Sequence, residues 1–285
     1  MSKIKYCWAI LICLIASLCF INDSFAIDKK ASLSLSHYIM AIIYDDLGDV
    51  RSAIQEYKSA LRTDKKNIVI HLNLALAYIK NNDIEKAVEE LNTCVKIDTQ
   101  AVESHAILAF LYSLQNKTEE ANVEYETALK NAAKRNPENI SIYKDLGFLY
   151  LQQKKLDAAE KMYRLVIDAS DKDADAHYYL ACIYDEKGDK KELEKELKKV
   201  LEINPDYHEA LNYLGYFYVE QGKNLDEAEK LIKKALKLQP DNGAYVDSLG
   251  WLYFKKGDIN LAIKTLTQAI GLLKDPVIYE HLGDA

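Results

Sequence analysis

Histidine is the residue type whose spacing in this sequence first suggests chemistry. His37, His71 and His105 lie 34 residues apart, and His177 occupies the same position in a later segment. Imidazole is a common metal ligand, but a metal site needs donor atoms that converge on one ion at about 2 Å. Equivalent atoms in successive helical layers are separated by a helix width or more, about 10 Å. We therefore expect no metal site and interpret these histidines as half-buried rings packed between helices.

No other grouping of residues predicts catalysis or a cofactor. Eight of the ten glycines recur at equivalent positions of a repeated pattern, so no phosphate-binding loop can be assembled from the other two. The acidic pairs Asp45-Asp46 and Asp185-Glu186 are typical of solvated helix ends. The sequence contains no HExxH motif, no paired CxxC and no Gly-x-Ser-x-Gly. It therefore predicts a protein that is not an enzyme, with no catalytic, cofactor-binding or metal-binding residue.

A period of about 34 residues organises the elements that carry these side chains. In each period a small residue is followed three positions later by a tyrosine, and an alanine usually comes nine positions after that tyrosine. The small residues are Ala41, Ala75, Ala109, Gly147, Ala181, Gly215 and Gly250, with Gly283 beginning an eighth period; the tyrosines are Tyr44, Tyr78, Tyr112, Tyr150, Tyr184, Tyr218 and Tyr253.

This pattern resembles the tetratricopeptide repeat family over residues 34–285. The resemblance implies an all-α, right-handed superhelical solenoid of about seven helix-turn-helix units and the start of an eighth. A single unit cannot cover its apolar face, whereas stacked units bury it continuously. The predicted repeats are residues 34–67, 68–101, 102–135, 140–173, 174–207, 208–242 and 243–275.

Two departures from the period indicate insertions. The third interval is 38 residues long, and we place its four extra residues in the turn Asn136–Asn139. This turn predicts a bend near residues 131–139. A single extra residue, Asn224, is predicted in the turn inside the sixth repeat.

The N-terminal segment Met1–Ala26 is typical of a secretory signal peptide. Two lysines precede the uncharged, largely apolar run Cys7–Ile21, which is shorter than the roughly 20 residues of a membrane span. Small residues at Ser24 and Ala26 predict cleavage after Ala26, and residues 27–33 then lead into the array. The predicted location is periplasmic or secreted, and an uncleaved anchor is the alternative.

In the tetratricopeptide family, the first helix of each unit lines a concave groove that grips an extended peptide or a partner helix. The resemblance places the residue two before the small residue, and the residue directly after it, in that groove. Here these positions are largely apolar or aromatic, and a large amphipathic ring is a typical binding anchor. The alternative is that several of them only pack between repeats. The candidate groove residues are Phe110, Phe148, Tyr179, Cys182, Tyr213, Tyr216 and Trp251, with Glu209 and Glu220 beside them.

The charge of the chain restricts the partner. A formal net charge of -7 and a pI near 5.5 argue against nucleic acid, which requires many phosphate-neutralising side chains. Only Asn73 and Lys144 resemble the carboxylate-binding set of chaperone-adaptor members, so we do not expect a bound C-terminal carboxylate. We expect a protein or peptide partner with apolar or aromatic and possibly basic residues, and we expect no cofactor.

The resemblance implies a non-catalytic interaction scaffold or adaptor. The runs Asn224–Ala228, Asp247–Trp251 and His281–Ala285 are similar to bacterial cell-envelope members of the family, which agrees with the predicted signal peptide. Two alternatives stay open. The chain could be the non-catalytic array of a larger enzyme, for example a glycosyltransferase, cut off at Ala285, or it could be a structural spacer.

Overall fold

The computed structural model describes residues 29–285, which form helices joined by short turns and contain no strand. The predicted signal peptide, Met1–Ala26, lies outside the described residues. None of the helices in the described part has the length and hydropathy of a membrane span. The helices are α1 (29–46), α2 (Val50–Thr63), α3 (Ile68–Lys80), α4 (Ile84–Ile97), α5 (Val102–Leu114), α6 (Thr118–Arg135), α7 (Ile140–Gln152), α8 (Leu156–Ala169), α9 (Ala174–Glu186), α10 (Lys190–Ile203), α11 (His208–Glu220), α12 (Leu225–Leu238), α13 (Gly243–Lys256), α14 (Ile259–Leu272) and α15 (Pro276–Asp284).

The chain divides into two compact units. The first ends at Asn136 and contains α1–α6, and the second runs from Pro137 to Ala285 and contains α7–α15. Helix α1 already includes residues 29–33, which the sequence pattern placed before the first repeat. Within the second unit each helix packs against the next, and α13 also contacts α11 and α15. The first helices of successive repeats therefore lie side by side there.

Helices α1–α14 form the seven predicted helix-turn-helix pairs, and α15 is the start of an eighth. The second helix of each pair is amphipathic. In α8, for example, the buried residues Ala159, Tyr163 and Val166 follow the spacing of one helical face. Lys161 and Arg164, between them in the sequence, are exposed, so the apolar stripe is covered by neighbouring helices.

The small residue of each repeat lies where the two helices of a pair approach closely. A Cβ atom added at Gly147 would lie 2.8 Å from the ring of Tyr163, and one added at Gly215 would lie 2.6 Å from Cγ1 of Ile232. The side chains of the second helix therefore occupy the space that a methyl group would need. Ala75 and Ala181, at the same position of other repeats, are fully buried.

In the second unit, two tyrosines of the pattern join their repeat to the one before it. Tyr184 in α9 is buried, and its hydroxyl donates to Glu160 of α8 at 3.0 Å and accepts from Arg164 at 2.6 Å. Burial acts to raise the pKa of Glu160, but hydrogen bonds from Lys187, Arg164 and Tyr184 outweigh it and lower the pKa to about 2. Tyr218 repeats the arrangement, donating to Glu194 at 3.1 Å. These contacts confirm that the tyrosine packs between successive repeats.

The structure corrects the predicted position of the four-residue insertion and confirms that of the single extra residue. Helix α6 has 18 residues whereas α2, α4 and α8 have 14, so the four extra residues extend this helix by about one turn. The turn Asn136–Asn139 has the usual length, and placing the insertion there was wrong. The segment Lys130–Arg135 is rich in good helix formers, and the first proline after it is Pro137. Helix α6 therefore continues to Arg135. Asn224 is the extra turn residue that the period predicted, and its φ of 49° lies in the left-handed region.

Candidate functional site

Each of the four periodic histidines pairs with a glutamate of its own repeat. Nδ1 of His71 lies 2.6 Å from Glu90 Oε2, and Nδ1 of His177 lies 2.5 Å from Glu196 Oε2. Nε2 of His71 also lies 3.0 Å from the carbonyl oxygen of Lys65. Both ring nitrogens of His71 are therefore engaged within the protein. No group of three or more potential metal ligands occurs among the described residues.

The sequence prediction did not include these glutamates, although their constant spacing from the histidines could have identified them. In each case the glutamate follows its histidine by 19 residues, so the two side chains share the 34-residue period. The pairs are His37–Glu56, His71–Glu90, His105–Glu124 and His177–Glu196.

In the first unit, exposed apolar side chains occur at the groove positions that the family resemblance implies. Phe110 in α5 is 59% exposed. Ile39, two residues before Ala41, and Leu76, directly after Ala75, occupy the groove positions of earlier repeats and are also exposed. Asn73 is not free to bind a carboxylate in the arrangement seen, because its Nδ2 donates to the hydroxyl of Tyr38 at 2.8 Å. Of the nine predicted groove residues, Phe110 lies in this unit and the other eight lie in the second.

In the second unit, aromatic rings from α7, α8, α9 and α11 form a continuous cluster. Phe148 and Tyr179 make an edge-type contact with ring centroids 6.0 Å apart, and Tyr163 stacks on Tyr179 at 5.1 Å. Tyr178 contacts Tyr179 at 5.8 Å and Tyr213 at 6.3 Å. The structure therefore brings together three of the predicted groove aromatics, Phe148, Tyr179 and Tyr213, through Tyr178, which the sequence reasoning had not selected.

Carboxylates at the helix ends hold several of these rings. The hydroxyl of Tyr213 donates to Asp185 at 2.6 Å, and that of Tyr207 donates to Asp175 at 3.1 Å. Burial, followed by the hydrogen bond to Asp185, raises the pKa of Tyr213 well above its ordinary value. The ring of Tyr213 is therefore neutral at physiological pH and fixed in position.

Cys182 has an unreactive thiol, and Lys144 is already paired with carboxylates. Cys182 is half-buried next to Tyr178, and burial raises the pKa of its thiol to about 11. Its thiolate population is therefore small near neutral pH. Lys144 lies 2.6 Å from Asp173 and 3.5 Å from Asp175, so its charge is already paired.

Trp251 lies differently from what the sequence suggested. Only 6% of it is exposed, because His281 of α15 stacks on its ring at 4.1 Å and Phe254 stacks at 4.8 Å. Its Nε1 donates to Glu220 at 2.6 Å, and Nδ1 of His281 lies 3.0 Å from both carboxylate oxygens of Asp247. Trp251 is therefore covered by the chain itself and is not an exposed ring, whereas its neighbour Tyr216 is half-buried.

A cavity of about 390 Å³ opens beside Tyr216. Its wall is built from α9, α11, α13 and the segment that begins α15, and its size is that of a ligand cleft, roughly 300–1,000 Å³. Burial raises the pKa values of Tyr216 and Tyr245 to about 12, so both rings are neutral. The polar and aromatic lining consists of Tyr178, Tyr213, Tyr216, Tyr245, Asn212, Ser248, Glu209, Asp247 and Asp275.

Three of these lining residues share a position that the sequence reasoning passed over. Tyr178, Asn212 and Asp247 each lie three residues before the small residue of their repeat. Side chains two and three residues before the small residue both reach the cavity. The set of predicted groove positions, which included only the former, was therefore too narrow. The cavity thus combines predicted residues, Tyr213, Tyr216 and Glu209, with neighbours from the adjacent position.

Stacked helix-turn-helix pairs with one aromatic face define a helical repeat protein, and comparison with known sequences identifies the class. A family model of the tetratricopeptide repeat matches residues 46–111, 114–183 and 194–252, and a second matches residues 174–207 and 247–273. The first covers more than half of the chain. The chain therefore belongs to the tetratricopeptide repeat family. No curated protein sequence matches it significantly.

Solved structures share the fold. The C-terminal part of a tetratricopeptide repeat protein from Cytophaga hutchinsonii matches with a TM-score of 0.56 and 15% identity, over 86% of this chain and 99% of that one. PilF of Pseudomonas aeruginosa matches with a TM-score of 0.53 and 16% identity, over 77% of this chain and 97% of that one. Yeast Tom70 matches with a TM-score of 0.51 and 20% identity, over 90% of this chain and 53% of that one.

Proposed function

We propose that the protein is a non-catalytic interaction scaffold whose second unit binds a segment of a partner protein. Tetratricopeptide proteins are generally scaffolds of this kind, and the fold points to protein or peptide partners. The observation that carries the proposal is the aromatic cavity on the side of α9, α11 and α13. An aromatic-lined concave surface with a few polar groups is the usual form of a binding site.

The bound segment contains apolar or aromatic residues together with basic ones. Its apolar part lies along Phe148 and Tyr179. Phe148 is exposed, so a partner side chain can cover its ring. Its basic part is favoured by the carboxylates Glu209 and Asp275, which line the cavity. A complementary charge of this kind raises association rates and excludes acidic partners.

Peptide titration by isothermal calorimetry tests this proposal. Peptides of matched length and aromatic content, made basic, neutral or acidic, are titrated into the purified chain. We expect the basic peptides to bind most tightly. Tyr216→Ala removes a central ring of the groove, so the affinity should fall by about 30-fold, the equivalent of a loss near 2 kcal/mol.

Leu238→Ala is the matched control. Leu238 is an exposed apolar residue on α12, outside the cavity, so its truncation should leave the affinity unchanged. If neutral or acidic peptides bound more tightly than basic ones, the proposed preference for basic residues would be wrong. Equal loss of affinity in both variants would show that the peptide does not bind in this groove.

We also propose that the protein acts in the cell envelope. The support is the sequence pattern of Met1–Ala26, which is typical of an export signal. Fractionation of cells that express the full chain, with N-terminal sequencing of the product, tests it. We expect a mature protein in the periplasm or medium that begins at Ile27. A cytoplasmic product that retains Met1 would rule this location out.

A further inference from the structure

The cavity in the second unit has an unbalanced charge. Glu209, Asp247 and Asp275 contribute carboxylates to its wall, and no lysine or arginine lines it. Asp247 is already paired with His281. Within the described residues, neither Glu209 nor Asp275 forms an ion pair with a lysine or arginine; Glu209 lies 3.2 Å from Nδ1 of its neighbour His208. The cavity can therefore accept a positive charge without displacing a cation of its own.

The same wall contains the rings of four neutral tyrosines. The hydroxyl of Tyr213 is held by Asp185, and that of Tyr245 lies 2.9 Å from Nδ1 of His208. What these residues offer to a ligand is therefore mainly the ring. Tyrosine rings attract cations placed over their faces, and the attraction grows when water is excluded.

A buried acceptor in the wall points to a ligand that donates hydrogen bonds. Oδ1 of Asn212 is buried and has no hydrogen-bond partner among the described residues. Such an acceptor is costly to leave unpaired, and native proteins rarely do so. A ligand with N–H donors would satisfy it.

We propose that the cavity receives the side chain of an arginine in the partner segment, an inference that rests on the proposed function. A guanidinium group is planar, stacks on aromatic rings, carries five N–H donors in a fork that matches carboxylates, and needs no donor from the wall. Its charge pairs with Glu209 and Asp275, its plane lies against the tyrosine rings, and one N–H reaches Asn212. A lysine ammonium supplies the charge but not the plane.

Binding of Nα-acetyl-arginine methylamide, compared with its neutral citrulline analogue, tests the cavity directly. The two probes have nearly the same shape and differ in charge. NMR titration of each into the purified chain should show that the arginine probe binds about tenfold more tightly. A lysine probe should bind more weakly than the arginine probe.

The variant Glu209→Gln/Asp275→Asn removes both free charges while keeping the shape of the wall. Asparagine is a good N-cap, so Asp275→Asn should preserve the hydrogen bond to the backbone N–H of Val277 that begins α15. We expect the preference for arginine over citrulline to fall below about twofold. Glu202→Gln/Asp206→Asn, which removes two exposed charges outside the cavity, should retain the preference.

The outcomes separate this inference from the proposed function. Equal binding of the two probes, or a preference that survives in Glu209→Gln/Asp275→Asn, would overturn the arginine site. The groove would still stand if peptides bound and Tyr216→Ala weakened them. Conversely, an arginine preference that vanishes in the charge variant would support the cavity even if no longer peptide bound.

Discussion

Tyr184 offers the sharpest test of how the repeats hold together. Its ring is buried between α8 and α9, and its hydroxyl bonds to Glu160 and Arg164. Truncation of a buried aromatic residue to alanine costs about 3–5 kcal/mol. Removal of the hydroxyl alone, in Tyr184→Phe, should cost about 1–2 kcal/mol, because its bonds are to charged groups that keep other partners. The difference, roughly 2–3 kcal/mol, is the contribution of ring packing.

Urea unfolding of the purified chain, followed by helical circular dichroism, measures these changes. The control is Tyr279→Ala, since Tyr279 is 50% exposed on α15 and its loss should change the free energy of unfolding by no more than about 0.5 kcal/mol. Equal effects of Tyr184→Ala and Tyr279→Ala would refute the packing role of the tyrosine. Equal effects of Tyr184→Phe and Tyr184→Ala would assign the stabilisation to the hydroxyl network instead.

Three further predictions follow from buried contacts. Folding lowers the pKa of Glu160 from 4.5 to about 2, so its carboxylate stabilises the fold fully above pH 4.5 and loses that effect as the pH falls towards 2. The urea midpoint of Glu160→Gln should therefore depend less on pH over this range than that of the unsubstituted chain. His177→Leu should cost about 3–5 kcal/mol by leaving the buried Glu196 without its partner, and His177→Leu/Glu196→Leu should recover most of this loss in the same assay. Gly250→Ala should cost about 1–3 kcal/mol because its Cβ would lie 2.7 Å from Leu266, whereas Gly271→Ala, with no atom within 4 Å of its Cβ, should be neutral or stabilising by up to about 1 kcal/mol; thermal melts compare the two.

The helices and their pairing could be predicted because the packing residues recur. A small residue such as Ala75 and a tyrosine such as Tyr78 lie on the same helical face three residues apart, and both are buried. The extra length of α6 could not be placed so well. The period gives the size of an insertion, but helix-forming residues before Pro137 decide that it extends the helix.

The candidate site was predicted only in part, for geometric reasons. Tyr213 and Tyr216 were found from their offset to the small residue, whereas Tyr178 and Asn212 required the true width of the groove-facing stripe. The burial of Trp251 depends on where α15 packs, and no local pattern gives that position. Whether the nine predicted groove residues contact a partner stays a prediction.

Hydrogen–deuterium exchange with and without a bound basic-aromatic peptide tests the proposed groove most directly. If the peptide lies along the first helices of the second unit, amides of α9, α11 and α13 should exchange more slowly in the complex. The outward-facing second helices, α10 and α12, should be unchanged. Protection confined to α10 and α12, or no protection in the second unit, would contradict binding in this groove.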